Sequence, residues 1–333
     1  MGCTMNKRYL PLALQYVDYV ARCGSIQRAA RELNVAASAI DRQVLMIEAD
    51  FRVLLFERSS KGMRPTPAGE AVAAMTQRWR NDLRRLATEI KAMQGINQGN
   101  VRIAAMDSHA NGLLPALVGH LAREHPAISI EAEIMSTDGA ATALINGDVD
   151  VTVAFNLSPH QEIIIQSSTE LPLGCVVAPG HVLAQSRTTT LQKAASFPIV
   201  LQSRSLMIRR YLEAKHGWIF TQHRPPVVTN SLQFMKHLAR SGSHIAFTSE
   251  FDVAPELLEG SLRFIPIRDK VAEPQTICVA VNARRGSRIS QIVASAVAEE
   301  IQSMLKRARG KNSGSEKPSG SDGRHRPGGL PMT

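Results

Sequence analysis

A heptad seam within residues 67–95 constrains this chain more than any other feature of its sequence. Apolar residues recur along it at steps of three and four: Val72, Met75, Trp79, Leu83, Leu86, Ile90 and Met93. This spacing places them on one face of a single long helix. Thr66 is a suitable N-cap, Pro67 suits the first helical position, and Gly95 and Gly99 predict the end of the helix. Such a stripe predicts either packing on its own domain or dimerisation.

The long helix divides the 333-residue chain into a small head, residues 8–66, and a larger body, residues 100–305. At 44% hydrophobic and 20% charged, the chain can bury real cores. Its charge is uneven, because residues 1–95 hold 15 Lys and Arg against 9 Asp and Glu, whereas residues 96–305 hold 17 against 18. A basic head suits a polyanionic partner, although a merely soluble basic face gives the same count.

The head predicts a helix-turn-helix. Leu10, Leu14, Val17 and Ala21 recur at helical spacing, and Gly24-Ser25 interrupts the pattern. A second helix is expected over residues 26–33, a turn over 34–36 and a third helix over about 37–49. Two short helices around a tight turn are typical of DNA-binding proteins, while an ordinary helical hairpin in a core is the alternative.

The third helix carries the residues best suited to reading DNA. Its apolar residues face inward, so Ser38, Asp41, Arg42 and Leu45 are left on the outer face. The short side chains of residues 37–39 (Ala37, Ser38 and Ala39) allow close approach to base edges in the major groove. Arg42 is expected to reach a guanine or a phosphate, and Gln43 an adenine if it faces outward.

Several motifs of the head resemble those of LysR-type transcriptional regulators. They are Gly24-Ser25-Ile26-Gln27-Arg28-Ala29-Ala30-Arg31-Glu32-Leu33-Asn34-Val35, then Ser38-Ala39-Ile40, Arg42-Gln43, Glu48, Leu55-Phe56-Glu57-Arg58 and Thr66-Pro67-Ala68-Gly69-Glu70. The resemblance implies that the third helix enters the major groove and that residues 58–66 form a wing beside it. It further implies phosphate contacts for Arg58, Lys61 and Arg64, and a position against the DNA backbone for Ser25, Gln27 and Arg28.

Three residues depart from that family pattern. Asp41 stands where Ser or Asn is usual, and we expect it to accept from a cytosine or to hold Arg42 in place. Ala36 replaces the usual capping Ser or Thr, which forfeits about 1 kcal/mol of helix stability. Arg52 stands where Gly is common, which predicts a different or strained turn. These departures leave the operator sequence open.

The body alternates strand and helix patterns, which predicts an α/β domain. The resemblance implies a C-terminal two-subdomain, periplasmic-binding-protein-like α/β domain after an N-terminal all-α winged helix-turn-helix. The two chain crossings are expected near residues 165–172 and 268–275. Strand-end and helix-start positions then favour a small polar or anionic effector. The candidate contacts are Ser108, Thr137, Gln202, Ser203, Asn230 and Ser231. A loop-end cap is the alternative role for each.

Other classes of function find no support in the sequence. There is no nucleophile elbow, P-loop, zinc-protease motif or paired-glycine fingerprint, so no enzyme and no cofactor is expected. The four cysteines form no pair at zinc-ligand spacing, and no metal is expected. No apolar run reaches the roughly 18–20 residues of a membrane helix, and residues 1–10 lack a signal core, so a cytoplasmic location is expected. Residues 309–333 are expected to be a disordered basic tail.

Together these features predict a sequence-specific transcriptional regulator of LysR type, modulated by a small effector. Next to a DNA-reading head, the seam favours a homo-oligomer, either a dimer or a tetramer. The partner is then double-stranded DNA carrying a roughly palindromic operator, because a two-fold dimer presents two reading helices. The alternative is a DNA-binding regulator whose effector domain binds no ligand and serves only oligomerisation.

Overall fold

The computed structural model describes residues 9–60, 62–94, 98–204, 207–221, 227–269, 274–284 and 286–313. The chain divides into two compact units. Unit 1 comprises Met1–Leu171 and Pro274–Ile301, and unit 2 comprises Pro172–Glu273 and Gln302–Thr333. The chain passes between the units at three points. Those after residues 171 and 273 fall within the windows where the sequence predicts a crossing, whereas the third, after residue 301, lies in a part of the chain where none is predicted.

The head contains three helices and a hairpin: α1 (Leu12–Cys23), α2 (Ile26–Leu33), α3 (Ala37–Phe51), β1 (Phe56–Ser59) and β2 (Gly62–Pro65). Their inward faces form one core that includes Val17, Ala29, Ile40 and Val44. The turn signals act as the sequence predicts, since Gly24 ends α1 in the left-handed conformation with φ 63°. The side chain of Ser25 accepts a hydrogen bond from the backbone N–H of Arg28 and caps α2.

The long helix α4 (Pro67–Met93) begins directly after the hairpin. The hydroxyl of Thr66 caps it by accepting a bond of 3.1 Å from the N–H of Gly69. Gly69 is required there, because a Cβ at this position would lie 2.0 Å from the carbonyl oxygen of Leu55. The end of the helix corrects the sequence analysis in one respect. Gly99 is the first residue of a strand and not a helix terminator, and Gly95 lies outside the described residues.

Unit 1 continues with an α/β sheet whose elements are β3 (Gly99–Ala105), α5 (Leu113–Glu124), β4 (Ile128–Ile134), α6 (Thr137–Asn146), β5 (Val151–Phe155) and β6 (Ile163–Leu171). A strand from later in the chain, β12 (Gln275–Asn282), completes it. The strand order is β4-β3-β5-β12-β6. β3 runs parallel to β4 and β5, whereas β12 is antiparallel to both of its neighbours. Every residue of β5 is buried, including Thr152, as is usual for a strand that is covered on both faces.

Unit 2 contains a second five-stranded sheet of order β11-β7-β10-β8-β9. Its elements are β7 (Leu173–Val177), α7 (Leu191–Ala195), β8 (Ile199–Gln202), α8 (Met207–His216), β9 (Val227–Thr229), α9 (Leu232–Arg240), β10 (Ile245–Ser249), α10 (Ala254–Glu259) and β11 (Arg263–Pro266). β8 is parallel to both β9 and β10, while β7 pairs antiparallel with β10 and β11.

The last helix, α11 (Arg288–Ser313), corrects the expected start of the tail. Arg309 forms an ion pair with Glu250, and the side-chain amide of Asn312 donates to the carbonyl oxygen of Phe264 at 2.9 Å. Ala308 is fully buried, so the helical apolar pattern continues past residue 305, where the sequence analysis ended the domain. Residues 309–313 are therefore helical, and residues 314–333 lie outside the described part of the chain.

Candidate nucleic-acid interface and effector site

The third helix of the head, α3, presents a solvent-facing stripe opposite its buried side. Ile40, Val44 and Ile47 pack into the head core. Ser38 and Arg42 are exposed on the other side. No side chain caps the start of the helix, because Ala36 carries no hydrogen-bonding group and its cap position makes no side-chain bond. The outer face is thus accessible and carries the polar side chains of Ser38 and Arg42 beside the exposed Leu45, and a helix that enters a groove needs such an accessible face.

The remaining predicted DNA contacts divide by exposure. Those exposed are Gln27, Arg28, Arg58 and Arg64, and those partly exposed are Ser25, Ala37, Asp41 and Gln43. Lys61 lies outside the described residues. The hydroxyl of Ser25 is already engaged, since it donates to the side-chain oxygen of Gln27 at 3.2 Å. Together with its capping bond, this makes Ser25 a residue that shapes the start of α2.

The hairpin register separates the two described arginines of the wing. In the β1–β2 pair, Arg58 lies opposite Met63 and Arg64 lies opposite Glu57. Directly opposed residues share a face and successive residues alternate, so Arg58 and Arg64 point to opposite faces of the hairpin. The structure therefore does not bring these two predicted phosphate contacts together.

Asp41 does not hold Arg42, which corrects one expectation from the sequence. Instead, its Oδ1 accepts a hydrogen bond of 2.8 Å from Nη1 of Arg58. The pair joins α3 to the wing strand β1. Arg42 is the immediate neighbour of Asp41 on the helix, and consecutive helical residues diverge by about 100°, whereas the wing strand faces Asp41 directly.

The long helix α4 combines a head-facing side with an exposed apolar stripe. Val72 packs against the head core, and Arg80 forms a 2.8 Å ion pair with the buried carboxylate of Asp18 on α1. Other residues of the heptad seam are exposed in the single chain: Met75 (49%), Trp79 (40%), Leu86 (51%), Ile90 (47%) and Met93 (85%). The seam is thus only partly used within the chain.

Two of the candidate effector contacts lie in unit 1. Ser108 belongs to a short 3-10 helix after β3, Asp107–His109. Its hydroxyl oxygen is buried and makes no hydrogen bond within the described part of the chain. Thr137 differs, because its hydroxyl donates to the carbonyl oxygen of Phe155 at 3.2 Å and so ties α6 to β5. The cap of α6 is the neighbouring Ser136, whose hydroxyl accepts from the N–H of Gly139.

The other four candidates lie in unit 2, around the ends of β8 and β9. Gln202 is the last residue of β8 and is buried. The backbone N–H of Ser203 donates to the carbonyl oxygen of Thr229 at 2.8 Å. Asn230 is exposed, and the hydroxyl of Ser231 caps α9 by accepting from the N–H of Phe234 at 3.2 Å. Ser231 therefore fills the role of a helix cap.

Two protein-family models match the chain over adjoining segments. Residues 12–70 match the bacterial regulatory helix-turn-helix protein, lysR family, and residues 94–302 match the LysR substrate binding domain. The second match alone covers more than half of the chain. The chain belongs to the LysR family. This LysR-family chain is therefore a DNA-binding transcriptional regulator, and the expectation that it is not an enzyme is confirmed by the nature of its relatives.

Curated relatives of this LysR-family chain have regulatory names. A RuBisCO operon transcriptional regulator from Allochromatium vinosum is 25% identical over 282 residues, which cover 83% of this chain and 90% of the relative. A probable RuBisCO transcriptional regulator from Emiliania huxleyi is 24% identical over 280 residues, covering 82% and 88%. At this identity they are similar proteins, and the family assignment rests on the two family models.

Solved structures share the fold. A full-length OxyR variant from Pseudomonas aeruginosa superposes with a TM-score of 0.62 at 18% identity and covers 89% of this chain and 95% of its own. CbnR in complex with its target DNA superposes with a TM-score of 0.60 at 20% identity, covering 88% and 98%. The predicted fold class, a winged helix-turn-helix followed by an α/β domain, is confirmed.

A buried polar cluster of this LysR-family regulator escaped the sequence analysis. Arg102, only 9% exposed, donates to both carboxylate oxygens of Asp150 and to the carbonyl oxygen of Gly147. It also donates to the side-chain oxygen of Asn81 on α4 at 3.2 Å. The signal was present, because Arg102 is a lone charge inside the apolar run of β3. A buried charge needs nearby partners, but the sequence does not say which.

The described cysteines do not have the character of reactive thiols. Burial raises the pKa of the Cys175 thiol to about 12, and it also raises the pKa of Cys278. Burial and then the neighbouring carboxylate of Glu32 raise the pKa of Cys23. A thiol with a raised pKa stays protonated and is a poor nucleophile. Within the described residues, no group of three or more His, Cys, Asp or Glu is arranged to hold a metal.

Among the described helices, none is both long and apolar enough to cross a membrane.

Proposed function

We propose that this regulator binds a roughly palindromic operator as a homodimer and that a small polar or anionic effector modulates its activity. The observation that carries the proposal is the exposed apolar stripe of α4, which consists of Met75, Trp79, Leu86, Ile90 and Met93. These side chains are large, lie on one helix face and adjoin a DNA-binding head. Pairing two such stripes buries them and presents two α3 helices to successive half-sites.

The dimer is tested by placing a charge in the stripe. Leu86→Lys places an ammonium group in the apolar interface of each chain, so we expect the molar mass from light scattering to fall towards that of one chain. Ala74→Lys is the matched control, because Ala74 is exposed on the same helix but outside the seam. If the Leu86 variant keeps the wild-type mass, the stripe is not the dimer interface.

A tetramer requires a second surface, and exposed apolar residues supply one in each unit. In unit 1 these are Val118 on α5 (52%) and Ile134 on the edge strand β4 (49%). In unit 2 they are Val228 on the edge strand β9 (53%) and Phe234 on α9 (48%). A Val228→Lys variant is expected to reduce a tetramer to a dimer, whereas Leu86→Lys should disrupt the dimer itself.

The DNA-reading assignment is tested by selecting bound fragments from a genomic library with purified full-length protein. Arg64→Ala should weaken binding to all sequences and reduce the salt slope by about one, because a phosphate contact carries no sequence information. Changes at Ser38 or Arg42 should alter sequence preference instead. If Arg42→Ala leaves operator choice unchanged, α3 does not read DNA through that side chain. The names of the relatives make a RuBisCO operon promoter the first single fragment to test.

The effector is tested by thermal shift with a panel of small carboxylates and phosphates. Ser108 is the most informative residue, since its buried hydroxyl has a hydrogen-bonding capacity that the described chain leaves unused. A ligand at a hundred times its dissociation constant stabilises the protein by about 2.7 kcal/mol, and Ser108→Ala should reduce that shift. If no compound shifts the transition, the alternative of a ligand-free domain used only for oligomerisation is favoured.

A further inference from the structure

The exposed ion pair between Asp41 and Arg58 joins the third helix of the head, α3, to the wing strand β1. The two side chains are 39% and 44% exposed, and Nη1 of Arg58 lies 2.8 Å from Oδ1 of Asp41. A surface pair of this kind contributes little to stability. The pair therefore has little effect on folding. Its position on the proposed DNA-facing side allows it to affect DNA binding instead.

Asp41 lies at the border of the α3 face that points away from the head core. It follows the exposed Ser38 by three residues and precedes the exposed Leu45 by four, and residues at these spacings are neighbours on a helix surface. A helix that inserts this face into the major groove brings the carboxylate towards the base edges. This step rests on the proposed mode of DNA binding.

A carboxylate can only accept hydrogen bonds, and this restricts which base it tolerates. In the major groove guanine presents two acceptors and thymine one, so both repel it. Adenine offers its N6 amine beside the N7 acceptor, which leaves a carboxylate partly repelled. Cytosine presents its N4 amine with no adjacent acceptor, and it is therefore the base that a carboxylate fits best.

Arg58 reduces the electrostatic repulsion between the Asp41 carboxylate and DNA. Phosphates repel an unpaired carboxylate, and the guanidinium of Arg58 offsets that charge while fixing the orientation of the group. Only Oδ1 is used by the pair. Oδ2 accepts no hydrogen bond within the described part of the chain, so it remains available to a base.

We propose that Asp41, oriented by Arg58, selects cytosine at one position of each operator half-site. Arg58 is then a positioning residue for base selection and more than a phosphate contact. This arrangement makes the wing part of the sequence-reading apparatus, because the guanidinium that aligns the reading carboxylate comes from β1.

The experiment selects bound sequences from a random duplex library with the full-length wild type and four variants: Asp41→Asn, Asp41→Ala, Arg58→Ala and Asp50→Asn. For the wild type we expect cytosine at one position per half-site, where replacement by another base weakens binding about tenfold or more. Asp41→Asn should move that preference towards adenine, which asparagine pairs with through N6 and N7. Asp41→Ala should flatten the preference at that position alone. Asp50→Asn removes the same charge from an exposed site on α3 and should change no preference.

Arg58→Ala separates positioning from phosphate contact. If Arg58 positions Asp41, its removal lowers the cytosine preference at that one position of the half-site. If Arg58 contacts only phosphate, affinity falls equally for all sequences, the salt slope drops by about one and the cytosine preference stays. The second outcome would overturn the positioning role.

The outcomes also distinguish this inference from the proposed function. A wild type that enriches no sequence contradicts the operator-binding proposal as a whole. A wild type that enriches an operator whose base preferences are the same in Asp41→Asn contradicts only the cytosine inference. Equal gains in affinity for every sequence in Asp41→Ala would show that the carboxylate merely repels DNA. Circular dichroism spectra of the variants that match the wild-type spectrum exclude misfolding. We expect this match for the Asp→Asn variants, because the two side chains are nearly isosteric.

Discussion

Asn81 joins the long helix α4 to the first strand of the α/β sheet in unit 1 by a buried hydrogen bond, and its removal has a calculable cost. Its side-chain oxygen accepts from Arg84 at 2.6 Å and from Arg102 at 3.2 Å, and its amide donates to Asp148 at 3.0 Å. The residue is only 4% exposed. Asn81→Ala therefore breaks three hydrogen bonds to charged groups at once.

The magnitude depends on which partners can turn to water. Arg84 is exposed and Asp148 is partly exposed, so both recover much of their lost bonding. Arg102 is buried and cannot replace its lost hydrogen bond with one to water, although Asp150 still compensates its charge. Counting one charged hydrogen bond in full and the others in part gives a loss of about 2–3 kcal/mol. For a unit of about 200 residues, this lowers the Tm by about 4–12 °C.

The assay is calorimetry on the full-length chain with Arg78→Ala as control. Arg78 is exposed on the same helix, and its loss should change stability by less than about 0.5 kcal/mol. If Asn81→Ala destabilises the protein no more than Arg78→Ala does, the buried hydrogen bonds of Asn81 do not contribute to the free energy of unfolding.

Substitutions at three sites and one labelling experiment test other parts of the structure. Ala36→Ser should stabilise the chain by about 1 kcal/mol, because it supplies the missing cap of α3, and thermal unfolding measures it. Arg52→Gly should also stabilise it by about 1 kcal/mol in the same assay, since Arg52 holds a left-handed φ of 54°. Lys236→Met leaves the buried carboxylate of Glu256 without its 3.0 Å partner and should cost about 3–5 kcal/mol in denaturant unfolding, much of which Lys236→Met with Glu256→Gln restores. Cys175, with a pKa of about 12, should resist alkylation by iodoacetamide at neutral pH until the protein unfolds; rapid labelling of the folded chain would contradict its burial.

Local sequence signals were sufficient for the head. Gly24 and Ser25 end one helix and begin the next where expected, and Thr66 caps α4. These features depend on the conformational preferences and hydrogen bonds of residues within a few positions of one another. The same holds for the absent side-chain cap at Ala36 and the strained turn at Arg52, both of which can be inferred from a single residue.

Partners distant in sequence could not be inferred in this way. The sequence analysis paired Asp41 with the adjacent Arg42, but the folded chain brings Arg58 to it from 17 residues away. The Thr137 hydroxyl, taken as an effector contact, is used by the carbonyl oxygen of Phe155. The helical character of residues 309–313 likewise depends on Glu250 and Phe264, which lie about 50–60 positions earlier.

The sequence by itself therefore determined the family through its motifs. It also determined the order and the faces of the helices in the head, because periodicity and capping act over one or two turns. Only the tertiary structure decided which charges meet: Asp41 with Arg58, Asp18 with Arg80, and Arg102 with Asp150 and Asn81. The physical reason is that a charged side chain specifies the need for a partner, whereas the packing of distant strands and helices determines which partner lies within hydrogen-bonding distance.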